Sequence, residues 1–538
     1  MRLADYFDAV AALRPDSLAF VDGATRITYG EAQKYVHAVA NALTRARHAG
    51  AGAHAAIYAP NDYRVSLLHL GINLADLAWL SVHIRNSIET NAGILEYFDT
   101  DIVFFHSYFE SAMPALKAKL SKAKLYVCID RASEHGLSMD EWLKDCWTPF
   151  RNGPEDPNTR AFLQPTGGTT GPSKGAVHTH RSLEFMGFGL TTGFNVTSES
   201  RHLCVAPLTH AAGLLTLGFT IKGGVNIIMP GFDPEALLHL IEEEKVTHLY
   251  LPPTAVYGLL AHPRTRQTNF SSLQAFIVGA APIAPEKFKE AVRVFGPIMY
   301  EGFGQTETLI PILVKGPSDY LKSDGSFDEQ VVRTAGKAVG VARLAIMDNE
   351  GNFLPAGERG ELVVRSSMVM REYYKRPEDT AAVSTFGWHH TTDVGIQDSR
   401  GYVTIVDRMK DMIVSGGFNI FPAEIEKVIQ GHPAVLDCIV IGVPDDKWGE
   451  AVKAVVQRKP GQDVTEEEIM ALCKEHLGST KTPRALNSGS SSRAVRLASC
   501  SRRTFAHSTG VISGAPFRHQ RASSPGKERP LNPGGTFN

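Results

Sequence analysis

Residues 167–175 read GGTTGPSKG, glycines and hydroxyls closed by one lysine. Gly167, Gly168, Gly171 and Gly175 allow tight turns that aim backbone N–H groups at an anion. Thr166, Thr169, Thr170 and Ser173 add hydroxyl donors, and Lys174 adds a point charge suited to phosphate. The apolar AFLQP before the stretch and VHTHRS after it place the loop between a strand and a second strand or a helix. That context favours a phosphate cradle over a plain surface loop. It is not a Walker A loop, which needs G-K-[ST] and four residues between its glycines. His178 and His180 in H-T-H have strand spacing for two metal ligands, but no third ligand is evident in the sequence. Serine-hydrolase chemistry has no support, because there is no G-x-S-x-G elbow.

Five further stretches follow in order: APLTHAAG (206–213), VGAAP (278–282), YEGFGQTET (300–308), HTTDVG (390–395) and DRMKDMIVSGGFNIFPAEIE (407–426). Together with residues 166–175 they resemble the acyl-adenylate-forming superfamily of acyl-CoA synthetases, aryl-CoA ligases, beetle luciferases and peptide-synthetase adenylation domains. The family's first signature is T-[SG]-G-[ST]-T-G-x-P-K-G, and Ser173 stands where it has its second proline. Thr392 stands where its T-G-D segment has glycine. The resemblance covers roughly residues 1–486 and points to the acid–CoA ligase branch.

The resemblance implies an attack by a carboxylate on the α-phosphorus of ATP, with pyrophosphate leaving, and then transfer of the acyl group from acyl-AMP to CoA. Such chemistry is mostly positioning and charge neutralisation. Thr166, Gly167, Gly168, Thr169, Thr170, Gly171 and Lys174 would hold the β- and γ-phosphates. Thr306 would touch the α-phosphate, and Glu307 would carry Mg²⁺, a hard cation that prefers oxygen ligands. Gly279, Ala280, Ala281, Phe303 and Gly304 would line the adenine pocket, while Asp393 and Arg408 would bind the ribose hydroxyls. His210 would gate the acid pocket. Lys410 would be the hinge about which a small domain rotates between an adenylating and a thioester-forming face, with GGF (416–418) bordering the pantetheine channel. The apolar segments EFMGFGL (184–190) and AAGLLTLGF (211–219) would wall the acid pocket and suit an aliphatic, alicyclic or aromatic tail.

The far end departs from the family. A P-x-x-x-x-G-K-x-x-[RK] segment, whose lysine reaches the α-phosphate and the substrate carboxylate, is expected about 20 residues after LGSTKTPRAL. NSGSSSRAVRLASCSRRTFAHSTGVISG stands there instead, with no lysine before Lys527. One choice of synonymous codons for residues 487–513, read two bases later, gives FGEQLPRSPVGKLLKKDLRAQYWRDQ, which carries the motif. A one-base deletion is therefore the hypothesis for residues 487–538. As written, adenylation is expected to be impaired. The alternatives are loading of a carrier-protein thiol and a nucleotide-binding pseudoenzyme.

The elements that must position these residues alternate. Apolar strand candidates at 53–59, 101–106, 124–130, 201–207, 225–230, 247–253 and 275–281 are separated by amphipathic stretches such as TYGEAQKYVHAVANALTRAR and PEALLHLIEEEKV. That texture predicts α/β layers with largely parallel sheets in a large multi-sheet N-terminal domain, residues 1–406. A hinge at 407–410 leads to a small mobile α+β C-terminal domain, residues 411–486, and then a Ser-, Arg- and Pro-rich tail expected to be disordered. In that small domain Thr465 is a predicted helix N-cap, with Glu468 completing the box.

The 538 residues, 43% hydrophobic and 21% charged, suit a globular chain of two or more domains. The tail holds eight Lys/Arg against one Asp/Glu and the rest 47 against 56, so the body is mildly acidic and not a nucleic-acid surface. Six scattered cysteines without C-x-x-C fit a reducing cytoplasm. The N-terminus does not read as a signal peptide, and no run is long and apolar enough to predict a membrane span.

Overall fold

The computed structural model describes residues 1–45, 52–151, 153, 155–166, 174–415, 418–445, 448–459, 461–483 and 485–489. It divides into two compact units, Met1–Met412 and a second beginning at Ile413. The fold is α/β, with a large multi-sheet unit followed by a small α+β one.

Each of the apolar runs becomes a strand. His54–Tyr58, Ile102–Phe105 and Ala275–Val278 are buried at every position, as parallel strands covered on both faces must be. Among the described residues one sheet has nine strands. Its parallel centre comprises Leu18–Asp22, Val225–Ile228, Arg201–Cys204, His248–Leu251, Ala275–Val278 and Met299–Gln305. A second sheet of eight strands is parallel from Arg160–Pro165 through Ala78–Ser81, His54–Tyr58 and Ile102–Phe105 to Leu125–Cys128. At its other edge Arg160–Pro165 pairs antiparallel with Gly175–Thr179, which pairs antiparallel with Glu372–Tyr373.

Helices fill the space between these two sheets. Tyr63–Leu74 is buried at every position from Val65 onward, the mark of a helix with no solvent face. The main core joins Trp79 and Phe162 of one sheet, Phe20 and Ile228 of the other, and Val39, Leu70, Met186 and Leu217 of the helices. Leu214, Leu215, Leu217 and Phe219 belong to that core, so most of the apolar segment 211–219 packs the interior rather than walling a pocket.

A third sheet departs from the expected parallel texture. Ala342–Met347, Arg359–Ser366, His389–Gln397 and Val403–Arg408 pair antiparallel throughout. The small unit places Ile413–Ser415, Phe418–Ile420, Val435–Asp445 and Gly449–Arg458 in an antiparallel sheet, with helices Pro422–Gln430 and Glu466–Leu477. Thr465 caps the second helix: its hydroxyl accepts from Glu468 N at 3.2 Å and the Glu468 carboxylate accepts from Thr465 N at 2.8 Å. Ala485–Gly489 adds to Gly449–Arg458 in parallel, so ordered strand runs past residue 487, where the tail was expected to lose structure. Among the described residues no helix is long and apolar enough to cross a membrane.

Candidate functional site

The parallel strands Ala275–Val278 and Met299–Gln305 are neighbours, and a ligand crevice in such sheets lies beyond the carboxyl ends of the strands. VGAAP and QTE occupy that position. A Cβ on Gly279 would lie 2.9 Å from Gly302 O, so the two turns touch and only glycine fits there. Beyond it Ala280 takes a left-handed φ of 68° and is exposed with Ala281, while Phe303 and Gly304 are half-buried.

Thr306 and Glu307 follow the strand and are held from several directions. His178 donates from Nε2 to Thr306 O at 2.7 Å. Burial holds the His178 pKa down to about 4, so the ring is neutral, and the carbonyl partner places its proton on Nε2. The ring stacks on Phe162, which stacks on Trp79. Met370 N donates to Glu307 O at 2.7 Å, and the Tyr373 hydroxyl donates to Glu307 Oε1 at 2.7 Å. Among the described residues no donor reaches Glu307 Oε2, and no three candidate ligands gather as a metal cage. One half-buried carboxylate oxygen fits Mg²⁺, which commonly binds one or two carboxylates and takes its other ligands from phosphates and water.

Lys174 arrives from the second sheet. Thr166 N donates to Lys174 O at 2.7 Å, closing the hairpin around the intervening loop. Gly167, Gly168, Thr169, Thr170, Gly171 and Ser173 lie outside the described residues. The Lys174 ammonium donates to Asp379 at 2.7 Å and lies 5.1 Å from the centre of the Tyr373 ring. Gly175 has a packing reason to be glycine: any Cβ there would overlap the ring of Phe98.

The third sheet contributes Asp393 and Arg408. Asp393 is only 2% exposed, and its carboxylate accepts from Gln305 Nε2 at 2.6 Å and pairs with Arg408 Nε at 3.3 Å. Gln305 Nε2 also donates to Thr391 O at 3.0 Å, tying the third sheet to the first. Thr392, between them, has φ 60°, a left-handed conformation that a β-branched residue rarely adopts. The backbone of Lys410 lies in the short turn Met409–Asp411. Gly416 and Gly417 lie outside the described residues, and Phe418 is exposed.

His210 stands apart from this group, at the start of helix Ala211–Thr220 and edge-on to His83 with ring centres 5.7 Å apart. The imidazole is accessible, yet desolvation and then the neighbouring His83 hold its pKa down to about 4. Accessible surface within dense surrounding protein describes the floor of a cleft. Asn61 fixes the segment before it, donating to Val205 O, Ala206 O and Met229 O and accepting from Leu208 N.

The structure thus gathers Lys174, Thr306, Glu307, Asp393 and Arg408 through Gln305, Tyr373 and Asp379. Gln305 lies inside a recognised stretch but was assigned no role from sequence. Tyr373, Asp379 and Asn61 carry no sequence signal. His178 had one, the H-T-H spacing, which points to a metal site rather than to a carbonyl.

The sequence profile described as AMP-binding enzyme matches residues 7–374, and that of the AMP-binding enzyme C-terminal domain matches 424–488. A medium/long-chain-fatty-acid–CoA ligase, FadD8, of Mycobacterium tuberculosis is 38% identical over 326 residues, 59% of this chain and 56% of that protein. A feruloyl-CoA synthase of Amycolatopsis is 32% identical over 481 residues, 88% of this chain and 92% of its own length. ATP-bound MatB from Rhodopseudomonas palustris superposes with a TM-score of 0.81 at 27% identity, covering 91% of this chain and 95% of that one.

Proposed function

The chain belongs to the AMP-binding enzyme family, and from that premise we propose that it is an ATP-dependent acid–CoA ligase working through an acyl-AMP. The observation that carries this reading is the convergence of Lys174, Thr306, Glu307, Asp393 and Arg408 from three sheets on one crevice.

In the first step a carboxylate oxygen bonds to the α-phosphorus and the bond to pyrophosphate breaks. Lys174 exchanges Asp379 for the departing phosphates and offsets their charge. Thr306 donates to the α-phosphoryl oxygens, where charge grows in the transition state. Asp393 accepts from the ribose hydroxyls, and Arg408 beside it keeps that carboxylate ionised. Mg²⁺ held at Glu307 Oε2 would supply charge neutralisation across the phosphates. In the second step the CoA sulfur bonds to the acyl carbon and AMP leaves. His210, neutral and accessible, lines the approach of the acid. The named relatives act on fatty and feruloyl acids, and the acid proposed here is likewise aliphatic or aromatic. The reducing cytoplasm is the compartment that supplies its ATP and CoA.

The C-terminal lysine is a separate matter. The profile of the C-terminal domain ends at residue 488, two residues into the foreign texture, which supports a lost base near Asn487. The missing lysine is also what favours the second reading, a nucleotide-binding pseudoenzyme. Pyrophosphate release over a panel of acids, with ATP, Mg²⁺ and CoA, tests both readings. The ligase gives release with at least one acid, together with AMP and the CoA thioester. Binding of ATP without release from any acid supports the pseudoenzyme. Product without CoA, formed only with a carrier protein, overturns the choice of acceptor. Resequencing the locus tests the deletion, and an unaltered reading of this same tail would sink it.

A further inference from the structure

We propose that Tyr373 is a positioning residue that sets the free oxygen of Glu307 towards the nucleotide and holds Lys174 beside it. The inference rests on the reading of this crevice as the Mg·ATP site. Tyr373 lies in the edge strand Glu372–Tyr373, paired with Ala176, two residues after Lys174. Its backbone N–H donates to Thr380 Oγ1 at 2.9 Å, tying it to helix Pro377–Ala382, which also carries Asp379, the resting partner of Lys174. From this fixed backbone the hydroxyl reaches Glu307 Oε1 at 2.7 Å, and the ring lies 5.1 Å from the Lys174 ammonium.

Two consequences follow from that geometry. A carboxylate with one oxygen tied to a phenol cannot turn both oxygens to a cation, so it presents Oε2 alone. A flexible lysine stem over an aromatic face keeps its charge close when it leaves Asp379, because a cation over a ring retains attraction without a fixed hydrogen bond. The ring also packs with Ala176 and Met370, which alone would make it an ordinary core residue. That packing does not use the hydroxyl, and this separates the two roles.

The test is ATP affinity by calorimetry on the full chain, in excess Mg²⁺ and in EDTA, for the parent and Tyr373→Phe. Removing a hydrogen bond to a charged group should reduce the gain in affinity from Mg²⁺ by about tenfold, with the EDTA affinity within about twofold of the parent. In a Glu307→Gln background the same substitution should change nothing further. An unchanged Mg²⁺ gain, an equal loss with and without Mg²⁺, or additive losses in the double variant would overturn the proposal. If Tyr373→Phe does not fold, Tyr373→His keeps a donor on a flat ring. Retention of the Mg²⁺ gain supports the proposal in that case, and its loss overturns it. A parent chain that binds no ATP overturns the functional reading and this inference with it, whereas an unchanged Mg²⁺ gain removes this inference alone.

Discussion

Thr392 has φ 60° and an exposed side chain, in a turn between the buried Thr391 and Asp393. A left-handed L-residue costs about 1–2 kcal/mol, and a β-branched one sits at the upper end. The turn is over-determined by its backbone: Thr392 N donates to Glu361 Oε1 at 2.8 Å, and the other oxygen of Glu361 pairs with His390 at 2.7 Å. Thr392→Gly keeps both contacts and relieves the strain, less what glycine loses in conformational entropy. The variant should be about 1 kcal/mol more stable in urea unfolding; a loss of stability would show that the threonine side chain has a partner worth more than the strain. Asp379 calls for the opposite sort of change. Its contact with Lys174 is half-exposed, worth at most about 1 kcal/mol, and phosphate must displace it. Asp379→Asn should therefore tighten ATP binding by about twofold to fivefold, and weaker binding would mean that Asp379 orders Lys174 instead. At this scale the sequence disclosed the groups that would face the ligand, since Lys174, Thr306, Glu307 and Asp393 sit in spaced motifs. It did not disclose Tyr373, Gln305 or Asn61, whose importance arises only from what folding brings opposite them.

Among the elements, those legible from sequence were the ones buried on both faces. Ile102–Phe105 and His248–Leu251 read as uninterrupted apolar runs because helices cover both sides. Ala342–Met347 buries only its last two residues fully, and such mixed exposure left the third sheet unread although it carries Asp393 and Arg408. The strand Ala485–Gly489 is the last described element, registering Lys453 with Ala485 and Gln457 with Gly489. A chain with the frame restored would continue from it as EFGEQLPRSPVGK and regain the lysine. One charge at a developing transition state contributes about 10²–10³ in rate. The restored chain should then adenylate faster by about that factor, measured as the pyrophosphate burst with ATP and acid. Thioester formation from supplied acyl-AMP should differ little between the two chains. Equal gains in both half-reactions would count against a role confined to adenylation.

The whole molecule carries an acid sensitivity confined to its first unit. His178, His180, His202, His248 and His389 are buried there with pKa values held down to about 4 by desolvation, and His69 to about 3. An unfolded histidine titrates near 6.5. Between that value and about 4 the unfolded state therefore binds protons that the folded state refuses. Stability present above pH 6.5 is lost as pH falls towards 4. At pH 5 each such group costs about 2 kcal/mol at 1.36 kcal/mol per pKa unit, so a few of them together approach the whole stability of an ordinary domain. The first unit should unfold cooperatively on acidification from pH 6.5 towards 5, with uptake of several protons. This is measured by tryptophan fluorescence, since Trp79 stacks against His69 at 3.9 Å and reports on the core itself. His69→Leu removes a buried ring with no hydrogen-bond partner on either nitrogen among the described residues. It should shift that transition to lower pH, and a midpoint unmoved by this variant would exclude His69 from the acid response.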